Sequence, residues 1–148
     1  MRWFEDFQVG EVTEVGPVTV TEEEIVQFAS RYDPQPFHVD PEAAESSPYG
    51  GLVASGWHTT ALFMSMFVPA VLLESASLGS PGVEEIRWLA PVRPGDTLTA
   101  RSTVVGVRAS DKAHRGTVST LNEVINQDGV VVMTLKARGL FARRPTAM

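Results

Sequence analysis

Hydrophobic and polar positions along this chain follow two different periods, a helical one in the first half and an alternating one in the second. Residues 12–20 come first, a short strand or strand pair broken at Gly16-Pro17. From Thr21 onward, Ile25, Phe28 and Ala29 fall on one helical face behind the acidic run Glu22-Glu23-Glu24. Thr21 standing three residues before Glu24 is a capping-box pattern, with acids where a helix N-terminus favours negative charge. Pro34 and Pro36 then turn Asp33 and Gln35 away from helical geometry. The helix is therefore predicted to stop near Asp33, and Asp33–His38 to run on as an extended, stiff segment. Asp40-Pro41 opens a second short helix through Glu45, and Ser46–Gly51 reads as a loop.

Residues 56–73, GWHTTALFMSMFVPAVLL, form the most apolar stretch. It is about as short as a membrane span can be and holds His58, Thr59, Thr60, Ser65 and Pro69. A helix hydrophobic all round and buried within its own protein is the better reading. Beyond it the period changes to two. Strands are predicted at Val83–Val92, Thr97–Val107 and Thr117–Asn126, with Asp128-Gly129 turning into Val130–Ala142. In the last of these, Val131, Met133, Leu135 and Ala137 share one face, while Thr134, Lys136 and Arg138 share the other. One apolar helix followed by long antiparallel strands gives an α+β class, and suggests a curved sheet wrapped around the helix.

Length changes this picture little: 148 residues fit one domain, 1–148, with no internal repeat or linker in view. Charge narrows the partners. The net charge of −6 argues against nucleic acid, whose phosphates call for clustered Lys and Arg. Eleven acidic side chains against two arginines crowd residues 1–45, so the remainder is net basic and can present a local patch to an anionic ligand. The chain has no cysteine, which excludes disulfides, thiolate metal sites and a cysteine nucleophile, and is compatible with a cytoplasmic location. The first residues lack the apolar run of a signal peptide, so no export is expected.

The candidate chemistry lies in Asp33-Pro34-Gln35-Pro36-Phe37-His38. A carboxylate and an imidazole that converge can hold one water and move one proton each way, as hydration of a double bond requires. The prolines lower the entropy cost of fixing both side chains. The competing reading is that Asp33 merely ends a helix and His38 is a satisfied loop histidine. Ser55-Gly56 opens the apolar helix, where the first backbone N–H groups have no partner inside it and glycine permits close approach. Such an N–H can hold the oxygen of a thioester enolate. Ser55 also reads as a plain N-cap, and the two roles are compatible.

These segments resemble a known family. Phe28–His38, continuing through Asp40 and Ala44 to Tyr49-Gly50-Gly51-Leu52-Val53-Ala54-Ser55-Gly56, resembles the MaoC-like dehydratases, which include the (R)-specific enoyl-CoA hydratases. Ile86–Asp96 resembles the family's strand and turn after the central helix. The resemblance implies a hot-dog fold, with residues 56–73 as the central helix. It implies a homodimer or a dimer-based higher oligomer, and an acyl-CoA thioester as substrate, with coenzyme A part of the substrate and no separate cofactor or metal. Asp33 and His38 match the family's acid/base pair, the Gly56 N–H matches its oxyanion donor, and Gly51, Ser55, His58 and Arg87 become candidates for substrate contact. The chain departs from the common pattern at Tyr32, Gln35, Ser55 and Met64, where Gly, Asn, His and in some members Ser stand.

Two other functions fit the same fold. A thioesterase would need a carboxylate on or near the central helix, and none occurs from Ser46 to Leu73. A non-catalytic acyl-CoA-binding or partner subunit would not need the Asp33–His38 spacing. For coenzyme A phosphates, Arg87, Arg93, Arg108, Lys112 and Arg115 are the cationic candidates.

Overall fold

The computed structural model describes residues 1–146, so the last two positions of the expected 1–148 domain lie outside the described residues. Five strands form one antiparallel sheet in the order β1-β3-β4-β5-β2: β1 is Val12–Thr19, β2 Gly82–Trp88, β3 Thr97–Ala109, β4 Arg115–Ile125 and β5 Val131–Ala142. Four α-helices precede β2: α1 at Glu22–Tyr32, α2 at Pro36–Val39, α3 at Pro41–Glu45 and α4 at Gly56–Phe67. The sheet lies against α4, which makes this the α+β hot-dog arrangement. Among the described residues, no helix is long and apolar enough to cross a membrane.

Strand register sets what faces α4. Direct partners across an antiparallel ladder point to the same side. Val15, Ala100, Val124, Met133 and Trp88 form one inward row; Thr13, Ser102, Asn122, Leu135 and Ile86 form the next. The first row supplies much of the core, together with Phe63 and Met66 of α4. The outer face is charged, with Arg101 reaching Glu123 at 3.0 Å. Gly16 interrupts β1 with φ of 106°, and a Cβ there would lie 2.8 Å from Met66 Sδ, so glycine is required where β1 crosses the helix.

Several expectations need correction. The residues from Val12 make one strand with a register shift between Val15 and Val18, not a broken pair. A bulge between Val124 and Ile125 makes Val132 the extra residue of β5, so Val132 is buried and Val131 only half-buried. The predicted helix 56–73 is α-helical only to Phe67. Val68–Leu72 continues as a π-helical turn, because Pro69 has no N–H to return to Ser65. Nor is the helix buried all round within one chain: Trp57 is 56% and Met64 41% exposed.

Candidate active site

The first site residue is placed by the end of α1. Thr21 caps that helix, its hydroxyl accepting the Glu24 amide at 3.2 Å. At the other end Asp33 is the C-cap, its N–H donating to the Ala29 carbonyl. Pro34 cannot follow a helical Asp33, and the chain turns out at φ −157°, ψ 67°. The segment then departs from the extended path predicted for it. Pro36 takes the first position of the short helix α2, where its fixed φ is already helical and its missing N–H costs nothing. That single turn carries His38 back toward Asp33, and the Asp33 Oδ2 to His38 Nε2 distance is 3.4 Å.

Each partner is held from a second side. His38 is buried, and its Nδ1 lies 2.7 Å from the Val53 carbonyl oxygen. A carbonyl only accepts, so Nδ1 carries the proton and a neutral His38 presents a bare Nε2 to Asp33. Asp33 Oδ1 accepts from the Gln35 amide and Oδ2 from the Ser55 hydroxyl, both at 2.7 Å. Partial burial pushes the Asp33 carboxyl up. The hydrogen bonds from Gln35 and Ser55, with the charge of His38, outweigh that and hold it below the ordinary carboxylate value. Asp33 Oδ2 and His38 Nε2, 3.4 Å apart, are close enough for one water to contact both at once.

Ser55 joins this pair to α4. It is fully buried, and its Oγ also accepts the Trp57 amide at 3.3 Å, which makes it the N-cap. Gly56 follows as the first helical residue, and its N–H meets no acceptor among the described residues. A Cβ at Gly56 would lie 2.4 Å from the Trp88 ring, so only glycine fits under that indole. Trp88 is fixed there by its Nε1, which donates to Thr60 Oγ1 at 3.3 Å, while the Thr60 hydroxyl donates to the Gly56 carbonyl at 2.9 Å.

The remaining candidates sit elsewhere. His58 is buried between α1 and α4, stacked on Phe28 with ring centroids 4.7 Å apart. Burial pushes its imidazole below 6.5, against a smaller opposing pull from Glu24, which favours the neutral ring. Arg87 neighbours inward-facing Trp88 and so points outward, where it is 65% exposed and pairs with Glu85 at 2.9 Å. Gly51 lies under Arg93, whose guanidinium donates to the Tyr49 carbonyl at 2.7 Å. Arg108, Lys112 and Arg115 are at the far end of the β3–β4 hairpin. Arg108 is eight residues beyond Ala100, roughly 27 Å along the strand. Sequence reasoning missed Gln35, Thr60 and the Val53 carbonyl as parts of the site. Gln35 had a signal in its spacing from Asp33; a backbone carbonyl fifteen residues from its histidine had none.

Comparison with known proteins agrees with the fold. The chain is 39% identical to the MaoC-like dehydratase from Rhodospirillum rubrum, with a TM-score of 0.90 and coverage of 97% of this chain and 99% of that one. It is 30% identical to an (R)-specific enoyl-CoA hydratase of the same organism, covering 94% of this chain and 95% of the relative. It is 31% identical to a mesaconyl-CoA hydratase of Cereibacter sphaeroides over 99% of this chain, which spans 43% of that relative's length. The family model described as MaoC like domain matches residues 6–126, a span that holds Asp33, His38, Gly56 and Trp88. The chain belongs to the MaoC-like domain family.

Proposed function

We propose that this protein is a hydratase/dehydratase that adds water to, or removes it from, the double bond of an acyl-CoA thioester. The observation that carries the reading is the approach of His38 Nε2 to Asp33 Oδ2 at 3.4 Å, beside the first N–H of α4. The hydratase relatives support the same class of reaction.

The substrate is a trans-2-enoyl-CoA and the product the matching (R)-3-hydroxyacyl-CoA. The thioester oxygen accepts the Gly56 N–H, where the helix dipole stabilises the enolate charge as it develops. Asp33 and His38 hold one water. Its oxygen bonds to C3, the pair takes one of its protons, and one proton passes from the pair to C2, so the net change is addition of H and OH. Dehydration is the reverse. The two groups act as one coupled pair. The chemistry is acid–base throughout and calls on no metal or separate cofactor. Of the predicted phosphate contacts, Arg93 is tied to the Tyr49–Gly51 loop, which leads to the helix start at Ser55-Gly56. The exposed apolar face of α4, with Trp57 and Met64 beside edge strand β2, suits a second copy of the chain in a homodimer. A cytoplasmic setting, where coenzyme A thioesters are used, fits this reading.

Purified protein incubated with crotonyl-CoA tests it. Loss of the enoyl absorbance, with (R)-3-hydroxybutyryl-CoA as product, is expected. Release of free thiol instead would mark a thioesterase, and binding without turnover a non-catalytic subunit.

A further inference from the structure

A cavity of about 390 Å³ lies between α4, from Thr60 onward, and the inner face of the sheet. Its walls are mostly apolar, from Phe63, Met64 and Phe67 on the helix side to Leu135 and Phe141 on the sheet. One feature of the sheet wall is out of character. Thr13, Ser102 and Asn122 are register partners on β1, β3 and β4, so three polar side chains stand in a single row across it.

Asn122 is the centre of that row and is 1% exposed. Its Nδ2 donates to Thr120 Oγ1 at 2.9 Å and to the Leu135 carbonyl at 3.1 Å. The carbonyl can only accept, so the amide cannot be turned the other way. That leaves Oδ1 buried with no hydrogen-bond partner among the described residues. Ser102, also buried, and Thr13 make no side-chain hydrogen bond among the described residues. A buried acceptor beside two idle hydroxyls is a costly arrangement for a pocket that receives only hydrocarbon.

Thr60 connects this row to the site. Its hydroxyl bonds the Gly56 carbonyl and its side chain lines the cavity. Four residues of helix from Gly56 to Thr60 rise about 6 Å. Two residues of strand from the Trp88 row to the Asn122 row cover about 7 Å. Asn122 lies two strands across from Ile86, roughly 10 Å further, so an acyl group whose thioester oxygen sits on the Gly56 N–H would run past Thr60 and reach the polar row only with its distal part.

We propose that the acyl group this protein takes carries a hydroxyl in its distal part, donated to Asn122 Oδ1 and accepting from Ser102 or Thr13. The inference rests on the hydratase reading and names its substrate class.

The test compares paired trans-2-enoyl-CoAs of equal length, one ending in a methyl and one in a hydroxymethyl group, across medium chain lengths. An apolar pocket would reject the hydroxyl, because it must shed its water. Here the hydroxylated partner is expected to show kcat/KM at least ~10-fold above the methyl partner for at least one length, and Asn122→Leu to reverse that order. The wild-type comparison decides the matter even where the variant does not fold. Ser102→Val supplies a second one, expected to shrink the preference. Hydration of the methyl series with the hydroxyl disfavoured at every length would overturn the inference and leave the hydratase reading standing, with Asn122 holding water alone. No hydration of either series would overturn both.

Discussion

The Ser55 hydroxyl donates to Asp33 Oδ2 at 2.7 Å and accepts the Trp57 amide at 3.3 Å, so one side chain ties the carboxylate to the start of α4. Twenty-two residues separate the two in sequence. The link means that Asp33, His38 and the Gly56 N–H are held in one frame.

Ser55→Ala removes both bonds. Loss of the cap is expected to cost about 1 kcal/mol of stability, read as a lowered denaturation midpoint. Loss of the bond to Asp33 also removes one of the interactions that hold its carboxyl below the ordinary value. The acid limb of the kcat/KM profile is therefore expected to move to higher pH, and Ser55→Thr to restore it. An acid limb unmoved in Ser55→Ala would mean that Ser55 serves only as the cap.

Asp33→Asn and His38→Ala are each expected to cut turnover of an enoyl-CoA at least ~10²-fold, the scale of a lost acid/base group. The far-ultraviolet circular dichroism should be retained. In Asp33→Asn the amide oxygen would still accept from Ser55 and the side chain would keep its place at the end of α1, so the loss reports chemistry and not collapse. Near-wild-type turnover in either variant would remove the pair from the mechanism.

The pH dependence of stability has a second source in His58. Burial lowers its pKa in the folded chain, so folding favours the neutral ring. A group whose folded value is depressed contributes stability that is full above its unfolded value, about 6.5, and is lost as pH falls through the folded one. The denaturant midpoint is expected to fall on going from pH 8 to pH 5. His58→Leu, which still packs on Phe28, should flatten that fall. Asp33 has the same sign but acts lower, its depressed pKa withdrawing stability only below about 3.8, so Asp33→Asn should leave the fall from pH 8 to pH 5 unchanged.

Local rules carried much of this structure. The Thr21 cap, the Asp40-Pro41 start of α3 and the Asp128-Gly129 turn each depend on a few neighbouring residues, and each appears where those residues place it. What local rules missed depends on distant partners. Val132 replaces Val131 in the core because the bulge is set by pairing with β4. The exposed stripe of α4 reads as buried because composition does not show where the sheet stops. In the site, the rule that proline breaks helices misreads Pro36, because at the first position of a turn it favours the helix that brings His38 to Asp33. Arg87 shows the converse: alternation along β2 alone turns it outward once Trp88 is known to face in.

Gly56 offers the sharpest test of how the backbone donor is positioned. Its N–H opens α4 with no acceptor among the described residues, and its Cα lies under the Trp88 indole, where a Cβ would come within 2.4 Å of the ring. Gly56→Ala must therefore push either the helix terminus or the indole aside, and Trp88 is held by its bond to Thr60. Overpacking of this kind costs about 1–3 kcal/mol in stability. The displaced N–H should also lose its aim at the enolate, lowering kcat by about 10²-fold, with a smaller change in KM, since the charge exists only in the transition state. Trp88→Leu in the same chain makes room for the methyl group and should restore most of kcat to Gly56→Ala. If the double variant is as slow as Gly56→Ala alone, the indole contact is not what sets the position of that N–H.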